Sequence, residues 1–501
     1  MKTVTPNNHV ARAISLSSVI GAIRLKGVRF YGIGPRCPMR KTTTFVAIVL
    51  GSLMLGAARH RAVRPPAAAP PPNISRSLVI TDPAILSSFD FQRVLQALID
   101  RGGATSTTPL SLYRQWFDTQ NPKPGLAVAD APHCDDFLTD GKPSFNGFPR
   151  LCPTPEGVLA TTDPFAAHDY TPIGITNRFD LTPVDGSNCG QYRIIYAKTT
   201  NAPSSKLHVI FEPTLRNPNP SAGVEGCRAV AQFWADLSKV DSAGERRARI
   251  EKFFFDGIDG FDPVLLPSRF AKGSGGIRTS QNQQGAVRFY QFHLQQDGSR
   301  LLVVPGLLQD MSYGPLYNAA APLALGPDFR QFFISQIQTL AIRDTNGFFD
   351  DIPDKYLMTE SAQDNTEVTF ASGSDFFAGQ TTPDGQAFKT AITAELQRVG
   401  STIALFDVLN RADLQNCHGC HFDGGRGAPA TAVPVGEGVM FPLAAQGGTH
   451  IDETLDAGSF TISAALRDVY APNRARILID FLNRKPLPAH SNTLGGGRTS
   501  D

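Results

Sequence analysis

Gln191-Tyr192-Arg193-Ile194-Ile195-Tyr196-Ala197 and Leu207-His208-Val209-Ile210-Phe211-Glu212 are the stretches on which the fold class turns. Both are dense in β-branched and aromatic residues, and a polar, turn-rich connection separates them, which predicts a β-hairpin. Residues 286–294 and 300–304 have the same character and flank Gln296-Asp297-Gly298, a tight-turn signal that predicts a second hairpin. Around these strands runs helical periodicity. Phe91, Val94, Leu95, Leu98 and Ile99 recur at i, i+3, i+4, i+7 and i+8 behind Asp90, a capping residue, and Gly102 marks the stop. Further helices are expected over residues 227–237, 245–255 and 328–342, whereas residues 104–177, rich in Pro, Asp, Thr and Gly without a sustained period, read as long loops. Strands and helices mixed in this way predict an α+β body.

The last part of the chain changes character. Ile392, Leu396, Val399, Ile403, Phe406 and Leu409 keep a three-or-four spacing through a long amphipathic helix, with Gly400 as an interruption. A terminal helix has Pro472 in its first turn and Ile477, Leu478, Phe481 and Leu482 as its apolar face, and stops before Pro486. The fold class expected is thus an α+β body of mixed strands and helices, over residues 79–385, followed by a small, mostly helical module over 386–501.

At the other end, the first acidic residue is Asp82, so everything before it is basic or uncharged. Met39-Arg40-Lys41 begins a short basic start, residues 45–58 form an apolar run, and Gly56-Ala57-Ala58 supplies the small residues of a signal-peptidase site. Residues 1–58 therefore read as a leader, with Met39 as the true start; an uncleaved anchor is the alternative, although the run is shorter than the ~20 residues of a spanning helix. Residues 59–78, which contain Arg64-Pro65-Pro66 and Pro70-Pro71-Pro72, read as a Pro/Ala-rich tether. The whole chain has 47 basic and 45 acidic residues, and removing the eight basic residues of the leader leaves 39 against 45, a net charge of −6. A mildly acidic mature chain argues against nucleic acid as a partner, and no transmembrane helix is expected once the leader is gone.

Six cysteines follow the leader: Cys134, Cys152, Cys189, Cys227, Cys417 and Cys420. In an oxidising compartment the first four would form two disulfides, and proximity in sequence favours Cys134 with Cys152 and Cys189 with Cys227 among the three connectivities; four buried free thiols are the alternative.

The last two belong to Cys417-His418-Gly419-Cys420-His421. Covalent haem attachment requires this C-x-x-C-H pattern, because two thiols add across the two vinyl groups and the following imidazole becomes the proximal iron ligand. On a helical turn the three side chains, at i, i+3 and i+4, share one face. With 7 Cys and 10 His in the chain, chance produces the pentapeptide on the order of a few times in a thousand. Three other readings compete: a zinc site, which would want a second ligand pair; a redox-active dithiol, which would want a βαβ setting; and a structural disulfide.

From about Phe388 onward the chain resembles the class I cytochrome c domain, with a helix ahead of C-x-x-C-H and a terminal helix expected to pack against it. The resemblance covers the last ~110 residues. It implies one covalent haem c, held by Cys417 and Cys420 with His421 as proximal ligand. It departs from that family in the short span between motif and terminal helix and in the absence of a marked sixth ligand, for which Met440 and His450 are the candidates and His490 a distant third. Asn177-Arg178-Phe179-Asp180, the run from Asp185 to Gly190 and the ending itself resemble a group of exported bacterial proteins that carry a lone C-x-G-C-H late in the chain and bring no activity with them.

Other signals are weaker. Asp256, Asp259 and Asp262 beside Gly257 and Gly260, and Asp344, Asn346, Asp350 and Asp351 around Gly347, lack the spacing of a twelve-residue calcium loop and read as turns. Gly273-Ser274-Gly275-Gly276 reads as a flexible loop, and His133, His168, His208 and His293 as scattered structural or exposed residues. The common hydrolase, zincin and nucleotide-binding motifs are missing. Together these readings lead to the expectation of a periplasmic or secreted single-haem protein that transfers electrons with an unidentified redox protein or a small electron donor or acceptor. Two rivals stand beside it: a haem-free envelope or extracellular binding protein whose Cys417 and Cys420 form a disulfide or hold a metal, and a haem enzyme with an open distal site.

Overall fold

The computed structural model describes residues 72–198, 205–283, 286–309, 311–362, 372–415, 432–443 and 449–488. The two quoted stretches lie in β6 (Asn188–Lys198) and β7 (Ser205–Glu212), which pair antiparallel with Ile194 opposite Phe211. They sit at the middle of a nine-stranded sheet whose order is β1 (Val79–Ile80), β5 (Tyr170–Arg178), β6, β7, β9 (Gly276–Gln283), β10 (Ala286–Asp297) and β11 (Arg300–Pro305). Off this path, β8 (Thr214–Arg216) pairs with β6 and β12 (Glu360–Ala362) with β10, and every pairing is antiparallel. The second expected hairpin is β10 and β11, turned at Gly298 with a positive φ of 56°. The α+β class is thus the fold that forms.

Helices cover one face of the sheet. α1 (Ile74–Ser77) and α2 (Pro83–Leu86) are single turns. α3 (Phe91–Gly102) starts where the sequence places it, the Asp90 carboxylate accepting from the Arg93 N–H at 3.1 Å, and buries Phe91, Val94, Leu95, Leu98 and Ile99. Residues 104–177 hold more than loops: α4 (Pro109–Asp118), with a Thr108/Ser111 capping box, and β5 both lie there. Leu112, Tyr113, Trp116 and Phe117 of α4 meet Tyr192, Ile194, Tyr196, Val209 and Phe211 of the sheet in the main core. The same core takes in Trp234 of α5 (Arg228–Leu237), Ile250 of α6 (Ala243–Glu251) and the Phe253-Phe254-Phe255 run of the π-turn that follows.

A second core lies among α7 (Gly326–Ser335), α8 (Ile337–Leu340), α9 (Ser372–Gly379), α10 (Pro383–Arg398) and α11 (Leu405–Asp413), with Phe289 of β10. Gly400 is the interruption its position suggests. It adopts φ +70°, and the bonds from Gly400 N to Gln397 O (3.1 Å) and from Ser401 N to Leu396 O (2.9 Å) close a Schellman motif that separates α10 from α11. The terminal helix α12 (Ala471–Leu482) packs chiefly on α5 and on the 179–181 turn, so Tyr470, Leu478 and Phe481 belong to the main core. The described residues form one compact unit.

Both disulfides pair as proximity favours, Cys134 with Cys152 and Cys189 with Cys227. They point to an oxidising, extracytoplasmic environment. Among the described residues no helix is long and apolar enough to cross a membrane.

Candidate functional site

Cys417, Cys420 and His421 lie outside the described residues, as does His490; the leader and the tether as far as residue 71 do too. The described chain leads up to the motif through α11, which is pinned by Arg411. This side chain is fully buried, donates to the carbonyls of Leu340, Ile342 and Val435 at 2.8 Å each, and stacks 5.0 Å over the Phe348 ring. A guanidinium spends its donors well on such carbonyls, because one planar fork serves several elements at once. Three residues, Leu414, Gln415 and Asn416, separate the end of α11 from the motif.

Of the two candidate sixth ligands, Met440 lies on β14 (Met440–Pro442), paired with Pro434 of β13 (Ala432–Pro434), and its side chain is half exposed. His450 immediately precedes β15 (Ile451–Asp456), which forms a hairpin with β16 (Ser459–Ile462). His450 Nδ1 lies 2.9 Å from Ser463 Oγ, and its ring meets Tyr470 edge-on at 5.8 Å. Tyr470 in turn donates to the Pro442 carbonyl at 2.8 Å, so one tyrosine ties the histidine to the strand of the methionine. When His450 Nδ1–H is the donor to Ser463, Nε2 carries the lone pair that a metal accepts.

The sheet has a second, polar face. Strand alternation sends Tyr192, Ile194, Val209, Phe211 and Ile277 to the main core, and their neighbours Gln191, Arg193, His208, Glu212, Arg278 and Gln291 to the other side. These are buried as well. Glu212 lies between Arg193 and Arg278, at 3.2 Å from each, while Arg193 donates to Gln191 Oε1 (2.8 Å) and Arg278 to Gln291 Oε1 (3.2 Å). Beside them Arg178 grips the Asp180 carboxylate with Nε and a terminal nitrogen. Burial, opposed by Glu212, pulls the Arg193 pKa down to about 9. Gly190 permits this packing, with φ +80° and a Cα so near the Arg178 carbonyl that a Cβ would lie 2.4 Å from the oxygen.

A cleft of about 770 Å³ opens on this face. Its polar lining includes Gln191, Glu212, Gln291 and His293, and the small sheet of β2 (Leu138–Thr139), β3 (Lys142–Phe145) and β4 (Phe148–Pro149) walls it with Leu138 and Phe145. His293 Nδ1 donates to the Gly275 carbonyl at 3.0 Å, since that oxygen can only accept, and burial pushes the imidazole below its ordinary pKa. The ring is therefore neutral at pH 7. Such a cleft suits a small molecule with both apolar and hydrogen-bonding surface.

Sequence reasoning missed Arg178, Arg193, Arg278 and the cleft residues as a group. The signal available was Arg193 inside an otherwise apolar strand, a residue type rarely buried without partners. The stretch read as a flexible loop, Gly273 to Gly276, instead lines the cleft and starts β9, where Gly276 sits against the Gln291 amide. The Asp/Gly runs are turns, the Asp344 carboxylate accepting from the Asn346 N–H at 2.9 Å and Ile258 bridging Phe261. Among the described residues no group of three or more His, Cys, Asp or Glu side chains is arranged to hold a metal. Comparison with protein-family models, with curated proteins and with solved structures finds no match in any of the three.

Proposed function

We propose that this is an exported protein that carries one haem, bound through thioethers to Cys417 and Cys420 with His421 as proximal ligand, and exchanges electrons with a redox protein or a small donor or acceptor. The observation that carries the reading is the pentapeptide Cys417-His418-Gly419-Cys420-His421 in a chain that joins Cys134 to Cys152 and Cys189 to Cys227 in disulfides. Both bridges belong to the same kind of compartment in which haem is attached to exported chains. A bound haem supplies one-electron transfer, at a potential set by its axial ligands and surroundings.

The protein's own residues contribute anchoring. Arg411 ties α11, the approach to the motif, to three backbone carbonyls. His450 is the better sixth ligand, because Ser463 and Tyr470 hold its ring, whereas the Met440 side chain is half exposed.

The test is expression in a host equipped for cytochrome c maturation, followed by a denaturing gel stained for haem peroxidase activity and a mass measurement. A stained band and a mass raised by one haem are expected. Colourless protein of bare polypeptide mass overturns the proposal. In haem-loaded protein, His450→Ala is expected to open the iron to CO and cyanide, and Met440→Ala to leave ligand access unchanged.

A further inference from the structure

Gln291, His293 and Gln295 stand at i, i+2 and i+4 on β10, so strand alternation sends their side chains out of one face of the sheet, and all three line the cleft. Two glycines leave the polar ends room. A Cβ on Gly276 would overlap Gln291 Nε2, and one on Gly306 would lie 2.5 Å from His293 Nε2. Gln291 Oε1 accepts from Arg278 at 3.2 Å, which leaves its NH2 end as the donor; His293 gives its Nδ1 proton to the Gly275 carbonyl at 3.0 Å, which leaves Nε2 as an acceptor. In the turn between β3 and β4, Asn146 donates both amide hydrogens, at 2.8 Å each, to the carbonyls of Asp354 and Leu357, and so presents Oδ1 as its acceptor.

The carboxylates deepest in this lining already face cations. Glu212 lies 3.2 Å from Arg193 and from Arg278, and Asp136 lies 2.7 Å from Lys123. Lys272 and Asp354, which also line the cleft, are of opposite sign. The apolar wall, by contrast, stands in water: Phe137 is 65% exposed and meets the Phe145 ring edge-on at 6.4 Å, and Leu138 beside it is 59% exposed. Exposed apolar side chains rimming a polar hollow mark a ligand surface.

We propose that the cleft binds a neutral saccharide. A sugar ring has a face of C–H groups and an edge of hydroxyls that each donate and accept. The C–H face stacks on the electron-rich faces of Phe137 and Phe145, while the hydroxyl edge accepts from the Gln291 NH2 and donates to His293 Nε2 and Asn146 Oδ1. A charged ligand would give up water without a counter-charge among the buried groups, which is costly. The cavity of about 770 Å³ lies within the range of roughly 300–1,000 Å³ that small-molecule sites occupy. The site rests on the sheet and the wall of β2 to β4, and stands without the haem reading.

The test is binding of the full exported chain to an array of neutral oligosaccharides built from glucose, galactose, mannose, xylose and N-acetylglucosamine, followed by calorimetry with the soluble form of the tightest. Wild type is expected to bind at least one of them, with an affinity unchanged between ~0.05 and ~0.5 M salt. Phe137→Ala, at an exposed position, and Gln291→Leu are each expected to weaken binding about fivefold or more. Succinate, spermidine and trialanine serve as charged and peptide probes. Absence of saccharide binding by wild type, binding of those probes alone, or saccharide binding unchanged in both variants overturns the proposal; the wild-type measurement decides even where a variant fails to fold.

Discussion

Glu156 shows at the scale of one residue how burial becomes a dependence on pH. It is fully buried, accepts from the Thr279 hydroxyl at 2.8 Å through Oε2, and leaves Oε1 without a hydrogen-bond partner. Burial raises its pKa from the ordinary 4.5 to about 8. The folded chain therefore holds a proton that the unfolded chain releases between those values, and stability falls as pH climbs through that window. Glu156→Gln keeps the shape and removes the titration, so the variant is expected to be more stable than wild type at pH 9, by about 5 kcal/mol at most, and little different at pH 4. Denaturant melts at the two pH values check this; equal wild-type stability at both sinks it. Gly190 is a second residue, packed against the Arg178 backbone. Its Gly190→Ala variant must move the Arg178 backbone or strain its own, and a loss of about 2 kcal/mol or more is expected in the same melts.

At the scale of elements, the bridge from Cys189 to Cys227 fastens the start of β6 to the start of α5 and closes 38 residues. Chain entropy assigns such a loop about 4 kcal/mol. The double variant Cys189→Ala, Cys227→Ala is expected to lose roughly that much, read from urea denaturation, and reductant should act on wild type in the same direction. The helices α10 and α11 show how little a period says about length. Their apolar spacing runs on without a break, but Gly400 in a left-handed conformation ends the first helix, and the two pack in the second core as separate rods.

For the whole molecule, the last helix is part of the first core. Leu466, Tyr470, Ile477, Leu478 and Phe481 are buried, and four of these five join the cluster that contains β6 and β7. At roughly 1.5 to 3 kcal/mol for each large apolar side chain, their removal costs on the order of 10 kcal/mol, comparable with the entire stability of a domain. A chain ending at Ile462 is therefore expected to show no cooperative unfolding transition by circular dichroism. A sharp transition from that truncation would mean that the sheet stands without its terminal helix.

What the sequence determined by itself is local or counted along the chain: the hairpins, α3 with its Asp90 cap, the α+β class, the cysteine pairing and the pentapeptide at 417–421. Each depends on neighbours within a few residues or on simple spacing. The strand β5, the helix α4 and the strand β9 escaped because Pro, Thr, Ser and Gln dilute their apolar pattern, and only partners far along the chain make them regular. The arginine cluster was equally invisible. Arg178, Arg193, Arg278 and Arg474 come from three strands and the terminal helix. Only the packing of β5, β6, β9 and α12 takes these side chains out of water, and burial beside Asp180 and Glu212 is a property of no single segment.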